Sequence, residues 1–296
     1  MDSTCPPGSL SYPGGIISFG AGKPTLCVND QCGYAIQHEK IRREVESGNF
    51  SSLTALAQDG MDNGLAVFNV QLMEPSLARK EEYLLPKAVK TLYEETGCAI
   101  AVDTRNPDAL GLALEAYPYK ALCNCVNGEW SNLEAMLPVV HTFGAAVGTA
   151  LVDEQGVPGT LERRLSVASR ILEAAGKFGI PKKDVMMDAV CLPSGVCPDS
   201  MRMTLETIQA FHRQLEVPAL VGNSNAGYMM PNPLIIDSVY FTAAVSWGLD
   251  VAMISPYTPN IQWIAATIDF LMGTDPYAGR YLELYRSGTP WNTHSR

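Results

Sequence analysis

The stretch Ala99-Ile100-Ala101-Val102-Asp103 decides the fold, because four apolar residues run directly into a carboxylate. The same arrangement, a short apolar run followed by Asp or Asn, recurs at residues 26–29, 66–69, 121–124, 185–188 and 219–223. A parallel strand that is buried on both faces reads as such a run. Repetition at about one helix-plus-strand spacing predicts a parallel barrel whose polar strand ends converge on one rim, where ligands bind.

The apolar pattern of the whole chain predicts an α/β protein, a (β/α)8 TIM barrel that forms one domain over residues 1–296. Strands are predicted near residues 25–29, 65–70, 98–103, 120–124, 145–151, 184–190, 218–222 and 250–254. Helical patterns are recognised at residues 80–96, 106–117, 160–178, 199–215, 234–247 and 260–272. Residues 1–22 are expected to form an irregular lead-in, and residues 274–296 a C-terminal extension with a short helix from Tyr277 to Tyr285.

Composition excludes several classes of function. The chain has 296 residues and a formal net charge of -10, with 21 scattered basic residues, so it lacks the concentrated positive charge of nucleic-acid binding. It has no run of about 18 apolar residues, which predicts that no segment spans a membrane. The N-terminal sequence has neither a basic start nor an apolar core, so we expect a cytoplasmic protein.

Metal and nucleotide signatures are also weak. Of the eight cysteines, Cys123 and Cys125 are closer together than the usual C-x2-C zinc pattern allows, and no metal site is expected. Glycine-rich phosphate-binding signatures are absent from the sequence. The chemistry is therefore expected to depend on the amides and carboxylates at the strand ends.

Five motifs at the predicted strand ends carry a resemblance to a known family. They are the run from Asp103 to Asn106, the run from Asn124 to Glu129, residues 156–160, Asp188, and the run from Gly222 to Asn225. In this order, over about residues 62–257, they resemble the pterin-binding methyltransferases. These are dihydropteroate-synthase-like barrels, specifically methyltetrahydrofolate:corrinoid-protein methyltransferases.

The resemblance implies roles for named residues. Asp103, Asn124 and Asp188 would hold the pterin, and Asn225 would sit beside N5 of tetrahydrofolate as the catalytic residue. Supporting substrate-binding roles fall to Asn69, Asn127, Ser224 and Gly222. The residue types suit a pterin, because a carboxylate accepts from the adjacent 2-amino and N3–H donors, and an amide both donates and accepts.

The resemblance also implies a reaction and its partners. The expected reaction moves a methyl group between N5 and the cobalt of a corrinoid, mainly by positioning and hydrogen bonding at N5. The cobalamin is expected to arrive on a separate corrinoid-binding protein that docks over the barrel mouth, and a homodimer is expected from the family. Tyr228, Met229 and Met230 are candidates to line the rim where the corrin docks.

Three departures from the family pattern suggest a sub-branch with a different direction or partner. Val67 stands where an Asp is common, Asn232 where an Arg often precedes a Pro, and Tyr228 where a Gln is found. One hypothesis is the glycine-betaine-type catabolic branch, in which a methylated corrinoid protein passes its methyl group to tetrahydrofolate.

The sequence is also compatible with other interpretations. A dihydropteroate synthase would share the barrel and pterin pocket, but its K-x-R pair is replaced here by Ser255-Pro256-Tyr257. A non-catalytic folate-binding subunit is a third possibility. Any single polar strand end could instead cap the next helix, as we assign to Asn106 and Asp199. Arg163 and Arg164 are interpreted as solvated helix charges, with a role in holding the folate tail carboxylates or a partner protein as the alternative. His141 and His212 are interpreted as helix residues away from the strand ends.

Overall fold

A computed structural model of the protein describes residues 6–20 and 22–291, without the side chain of Cys125. In chain order its strands are β1 (Gly8–Tyr12), β2 (Gly15–Phe19), β3 (Leu26–Asn29), β4 (Val67–Gln71), β5 (Ala99–Asp103), β6 (Leu122–Asn127), β7 (Ala146–Ala150), β8 (Val185–Asp188), β9 (Ala219–Gly222) and β10 (Val251–Ile254). Strands β3 to β10 are parallel and form a closed barrel in which β10 pairs with β3. The predicted (β/α)8 barrel and all of its predicted strands are confirmed.

Helices surround this barrel. In chain order they are α1 (Gln31–Ala35), α2 (Glu39–Glu46), α3 (Ser51–Asp62), α4 (Pro75–Ala78), α5 (Glu81–Thr96), α6 (Pro107–Glu115), α7 (Trp130–Phe143), α8 (Leu161–Lys177), α9 (Ser200–Ala210), α10 (Pro233–Ser246), α11 (Ile261–Leu271) and α12 (Gly279–Arg286). The predicted helix at 199–215 is α9 followed by a π-helical turn, Phe211–Leu215. The helical patterns did not include α1 to α4 or α7.

Local sequence signals set the ends of several helices. Helix α6 begins where Asn106 accepts hydrogen bonds from the backbone of Asp108 and Ala109, as its assignment as a cap predicted. Asp199 occupies the corresponding position before α9 without a side-chain capping bond in the described structure. Helices α5 and α7 end at glycines 97 and 144 in the left-handed conformation.

The N-terminal segment differs from the expected irregular lead-in. Strands β1 and β2 form an antiparallel hairpin with Tyr12 opposite Gly15. Leu10 and Phe19 are buried with the side chains that fill the barrel interior, so the hairpin closes the end at which the strands begin. The Pro and Gly content, which suggested an irregular segment, reflects its tight turn at residues 13 and 14. Residues 1–5 and 21 of the predicted lead-in lie outside the described residues.

The core has two layers, as expected for a closed barrel. One fills the barrel interior with residues such as Val28, Ala101 and Met186, and the larger one lies between the strands and the helices. Helix α12 confirms the short helix predicted in the C-terminal extension, although it begins at Gly279. Residues 292–296 of that extension lie outside the described residues. Within the described chain, no helix combines the length and apolar character required to cross a bilayer.

Candidate functional site

The centre of the candidate site is a carboxylate held between two amides. Asp103, the last residue of β5, accepts a hydrogen bond at Oδ2 from Asn69 Nδ2 of β4 at 3.1 Å. The same oxygen accepts from Asn124 Nδ2 of β6 at 3.4 Å. Asp103 and Asn69 are buried, whereas Asn124 is partly exposed. The structure therefore brings together three of the predicted pterin-binding residues from neighbouring strands.

An unsatisfied buried acceptor accompanies this cluster. Asn69 Oδ1 is inaccessible and has no hydrogen-bond partner among the described residues. A buried polar atom without a partner costs free energy unless something else supplies the bond. Its presence beside Asp103 and Asn124 fits a ligand with N–H donors, as the donor edge of a pterin provides.

A glycine makes room for one member of the cluster. A Cβ at position 148 on β7 would lie 2.8 Å from Asn124 Oδ1, so the Asn124 amide occupies space that a side chain would fill. Sequence reasoning missed this position, because a glycine within a strand has several possible causes.

Asp188 lies at the end of β8 on the same rim. Its Oδ1 accepts from Val190 N at 2.9 Å, and its backbone N donates to Thr149 Oγ1 at 3.1 Å. Burial raises the pKa of the Asp188 carboxyl to about 6, although the bond from Val190 and the charge of Arg164 act in the opposite direction. The pKa of this carboxyl therefore lies well above that of an ordinary aspartate.

The polar residues after β9 face different ways. A 3-10 turn spans Asn223–Asn225, and its first residue is buried, where Asn223 Nδ2 donates to the Asp237 carbonyl at 2.9 Å. Ser224 Oγ accepts from Ser255 N at 3.2 Å. Asn225 is exposed, and a Cβ at Gly222 would lie 2.8 Å from Asn225 Nδ2. Gly222 thus lets the Asn225 amide lie against the end of its strand.

Asn127 has a local role in the structure. Its Oδ1 accepts from Glu129 N at 3.0 Å and its Nδ2 donates to Glu129 Oε2 at 3.1 Å. Its backbone N donates to Asn132 Oδ1 at 2.8 Å. These bonds order the loop before α7, and the supporting role of Asn127 in pterin binding stays a prediction.

Two further carboxylates belong to the mouth, and sequence reasoning missed both. Asp237 of α10 accepts from Gly227 N at 2.9 Å, and burial raises its pKa to about 6. Burial also raises the pKa of Asp30, although its hydrogen bond with Ser224 acts in the opposite direction. Asp30 had a signal, since it follows the first predicted strand. Its neighbour Asn29 is buried and donates to the Leu56 carbonyl at 2.9 Å, which is a structural role.

The interpretation as a solvated charge is wrong for Arg164, whereas Arg163 is partly exposed and forms an ion pair. Arg163 makes two bonds of 2.9 and 2.8 Å to the buried Asp153 carboxylate. Arg164 is fully buried and donates through Nη1 to the Ala189 carbonyl at 2.8 Å and to Thr207 Oγ1 at 3.1 Å. The amphipathic pattern of α8 did not reveal this, because Arg is rarely a core residue.

Other predicted features lie around this centre. Tyr228, Met229 and Met230 are exposed in the loop after β9, and Val196 of the loop after β8 is 80% exposed. Val67 is buried inside the barrel at the start of β4. The two histidines lie in helical segments, His141 in α7 and His212 in the π-helical turn.

Metal ligation has no candidate centre in residues 6–20 and 22–291. No group of three or more His, Cys, Asp or Glu side chains among them is arranged to hold an ion.

Comparisons with known proteins agree with a pterin-binding barrel. The model of the family "Pterin binding enzyme" matches residues 74–252. A methylcorrinoid:tetrahydrofolate methyltransferase of Eubacterium limosum is 20% identical over 204 residues, which cover 67% of this chain and 74% of that protein. A methionine synthase of Mycobacterium tuberculosis is 25% identical over 169 residues, covering 52% of this chain and 14% of that protein.

Solved structures resemble the fold at low sequence identity. A dihydropteroate synthase of Coxiella burnetii in complex with pteroic acid superposes with a TM-score of 0.67 and 15% identity, covering 90% of this chain and 99% of that chain. A dihydropteroate synthase of Yersinia pestis gives a TM-score of 0.62 and 16% identity, covering 90% and 98%. At this level of identity, the likeness establishes a shared barrel architecture.

Proposed function

Because the family match spans more than half of its length, this chain belongs to the pterin-binding enzymes, and we propose that it is a corrinoid-dependent methyltransferase. The proposed reaction moves a methyl group between a methylated corrinoid protein and N5 of tetrahydrofolate. The proposed direction is towards methyltetrahydrofolate, in a demethylation pathway of the glycine betaine type in the cytoplasm. The methylcorrinoid:tetrahydrofolate methyltransferase relative supports this assignment.

The observation that carries the proposal is which residue types form the loops after β9 and β10. Asn225 is exposed there, beside Ser224 and its partner Ser255. Pyrophosphate displacement requires cations, whereas this stretch, residues 222–228 and 254–258, contains no Lys or Arg. An amide suits methyl transfer better, because its oxygen can accept a hydrogen bond from N5–H and its NH2 group can donate one to the N5 lone pair.

The remaining strand ends supply a binding site for the pterin. Asp103, with Asn69 and Asn124, would accept the donor edge of the ring, and the buried Asn69 Oδ1 offers one further acceptor. Asp188, which we propose to bind the same ring, lies two strands beyond Asn124 in the barrel. This arrangement fixes the ring, so that N5 is presented to the methyl group in line with the breaking bond.

The chemical step balances without a protein nucleophile. In the proposed step the lone pair of N5 would attack the methyl carbon, the electron pair of the broken carbon–cobalt bond would stay with the corrinoid substrate, and the N5 proton would pass to solvent water. Asn225 would hold a hydrogen bond to N5 without itself taking up the proton. The corrinoid supplies the activated methyl group when its carrier protein is bound. The exposed Tyr228, Met229, Met230 and Val196 form an apolar rim that fits a bulky macrocycle over the mouth.

A homodimer is part of the proposal. The outward faces of α10 and α11 expose Ile235, Val239, Phe270 and Leu271, which a second copy would cover. Sedimentation velocity at micromolar concentration should give about twice the mass of 32.0 kDa. A monomer would contradict the dimer and leave the reaction untouched.

The assay that tests the function uses purified protein, methylcobalamin and tetrahydrofolate. Formation of methyltetrahydrofolate is expected, and Asn225→Ala should lower turnover by ~10²-fold, the usual effect of losing one such hydrogen-bonding group. Asn63→Ala is the matched control, because Asn63 is an exposed amide at the end of α3 on the opposite face of the barrel. No methyl transfer by the wild type would refute the proposal.

The two alternatives give different results with the same protein. A dihydropteroate synthase would form dihydropteroate from a dihydropterin pyrophosphate and p-aminobenzoate, and we expect none. A non-catalytic folate-binding subunit would bind tetrahydrofolate in calorimetry and transfer no methyl group. The dihydropteroate synthase alternative is retained because those enzymes share the fold.

A further inference from the structure

The turn that follows β8 has an unusual backbone. Val190 has a φ of 58°, a left-handed conformation that is a rare outlier for a β-branched residue. Such a residue persists only where the surrounding structure holds it, and such outliers cluster at functional sites. The turn begins with Asp188, the carboxylate at the barrel mouth.

Hydrogen bonds hold this turn on every side. Asp188 Oδ1 accepts from Val190 N at 2.9 Å. Ala189 N donates to the Leu220 carbonyl of β9 at 2.8 Å. Thr204 Oγ1 of α9 donates to the Val190 carbonyl at 2.7 Å, and itself accepts from Tyr240 OH at 2.7 Å. The turn is therefore fixed from β9, α9 and α10 together.

The remaining carbonyl of the turn is held by Arg164. This side chain is fully buried, and its Nη1 donates to the Ala189 carbonyl at 2.8 Å. Its other bonds go to Thr207 Oγ1 at 3.1 Å and the Pro158 carbonyl at 3.3 Å, both neutral acceptors. Its Nη2 is inaccessible and has no hydrogen-bond partner among the described residues.

A buried guanidinium without a bonded carboxylate is costly, so its charge requires a counterpart. The charge of Asp188 acts on Arg164, and that of Arg164 acts on Asp188. The other titratable groups that face Arg164 are the phenol of Tyr240 and the thiols of Cys191 and Cys197. Burial raises the pKa of the Tyr240 phenol and that of the Cys191 thiol, so both are neutral near pH 7.

We propose that Arg164 is a positioning residue for Asp188: it fixes the turn through the Ala189 carbonyl and supplies the buried positive charge that keeps the Asp188 carboxylate ionised at the mouth. The ligand consequence rests on the proposed function, in which ionised Asp188 accepts hydrogen bonds from the pterin ring. A purely structural role, in which Arg164 only ties α8 to α9, is the competing explanation.

The first experiment needs no ligand, so it is independent of the proposed function. The titration of the Asp188 side-chain carboxyl is followed by 13C NMR in the wild type, and Asp188→Asn identifies the signal. The pKa of Asp188 should be higher in Arg164→Gln than in the wild type, because the favourable charge is lost. Arg164→Lys, which retains the charge, should restore the wild-type midpoint.

The second experiment measures tetrahydrofolate affinity by calorimetry between pH 5.5 and 8.5. If the loss of the Arg164 charge raises the pKa of Asp188 by about one unit from its value of about 6, the ionised fraction falls about threefold at pH 6.5 and about eightfold at pH 5.5. Arg164→Gln should therefore bind about threefold more weakly near pH 6.5, still more weakly at pH 5.5, and about as tightly as the wild type at pH 8.5. Any titration of the folate is common to all variants and cancels in the comparison. Asp188→Asn should bind weakly without this pH dependence.

Two substitutions separate position from charge. Thr204→Val removes the bond to the Val190 carbonyl and keeps Arg164, so affinity should fall equally at every pH while the midpoint of Asp188 stays unchanged. Thr242→Val is its matched control, because Thr242 is exposed on α10 and its hydroxyl donates to the Ser238 carbonyl of the same helix. Arg202→Gln controls for loss of an exposed arginine on α9.

The outcomes distinguish the two proposals. An unmoved Asp188 pKa in Arg164→Gln, with affinity lowered equally at all pH values, would overturn the role of Arg164 and leave the methyltransferase assignment standing. A shifted pKa in a protein that does not bind tetrahydrofolate would support Arg164 and refute the proposed function. If Arg164→Gln does not fold, Thr204→Val still tests the proposal. A shift of its Asp188 titration midpoint together with a loss of affinity would contradict the proposed separation of position from charge.

Discussion

The two ends of this barrel are lined by different residue types, apolar at one end and polar at the other. At the end where the strands begin, the β1–β2 hairpin inserts Leu10 and Phe19 into the apolar interior. At the end where they finish, Asp103 and Asp188 lie on the rim, and Asn69 Oδ1 is buried without a partner in the described chain. One end therefore contributes mainly to stability, and the other keeps polar atoms for a ligand. Substitutions at the two ends should therefore have separable effects on stability and on ligand affinity.

Substitution of a buried residue in the β1–β2 hairpin should have the largest effect on stability. Phe19→Ala empties a fully buried aromatic position, and such substitutions lower the free energy of unfolding by about 3–5 kcal/mol. Urea denaturation followed by circular dichroism measures this change. Ile16→Ala in the same hairpin is the control, since Ile16 is 75% exposed and should cost little. Tetrahydrofolate affinity of folded Phe19→Ala should be unchanged, and a large loss of affinity would contradict the separation of the two ends.

The strand-end cluster should respond in the opposite way. Asp103→Asn preserves shape but removes the charged acceptor, and hydrogen bonds to charged groups contribute about 1.5–3 kcal/mol, so tetrahydrofolate affinity should fall ~10- to 100-fold. Stability should change much less than in Phe19→Ala. Calorimetry measures the affinity, with Asp108→Asn, an exposed carboxylate in the first turn of α6, as the control. Unchanged affinity would remove Asp103 from the pterin site.

The strained turn gives a smaller effect at the functional end. Val190→Gly and Val190→Ala remove the same branched side chain, but only glycine adopts a positive φ without a steric penalty. The glycine variant should therefore be more stable than the alanine variant by about 1 kcal/mol, the reverse of the order in a helix. Chemical denaturation of the pair measures this difference. Equal stability would mean that the turn relaxes when the side chain is removed.

The two ends also differ in how far the sequence predicts them. The barrel strands followed from apolar runs and their turn residues, because a strand buried on both faces has a compositional signature. The hairpin did not, since the Pro and Gly of its turn are equally typical of irregular segments. At the rim, the proximity of Asp103, Asn69 and Asn124 was predicted because each follows an apolar run in the sequence.

The positions that sequence reasoning missed depend on long-range contacts. Asp237 lies inside α10, and its approach to Gly227 depends on how the preceding loop folds. Arg164 reads as a surface charge until α8 and α9 enclose it. Asn127 bonds within its own loop, which the strand-end pattern did not indicate. Such cases are decided by tertiary packing, which a local pattern does not contain.

The smallest predicted effect lies at the apolar end and concerns pH. His212 Nε2 lies 2.8 Å from the Gly248 carbonyl and 3.2 Å from Asp250 Oδ2. Burial lowers the pKa of His212, but the hydrogen bond and charge of Asp250 outweigh it, so the pKa is raised above 6.5. Its contribution to stability is therefore complete below pH 6.5 and is lost as the pH rises through the higher, folded-state value.

Urea denaturation at pH 6 and pH 8.5 measures how the free energy of unfolding changes over this range. The change due to His212 should disappear in His212→Gln. It should persist in the control His141→Gln, because His141 is an exposed residue of α7. The opposite end titrates in a lower window. The pKa of Asp188 is raised on folding from 3.8 to about 6. Its contribution to stability is therefore present below about pH 4 and is lost as the pH rises to about 6, so the free energy of unfolding decreases over this range. If His212→Gln altered the dependence between pH 4 and 6 instead, the two ends would be coupled, and the division between a stabilising end and a binding end would fail.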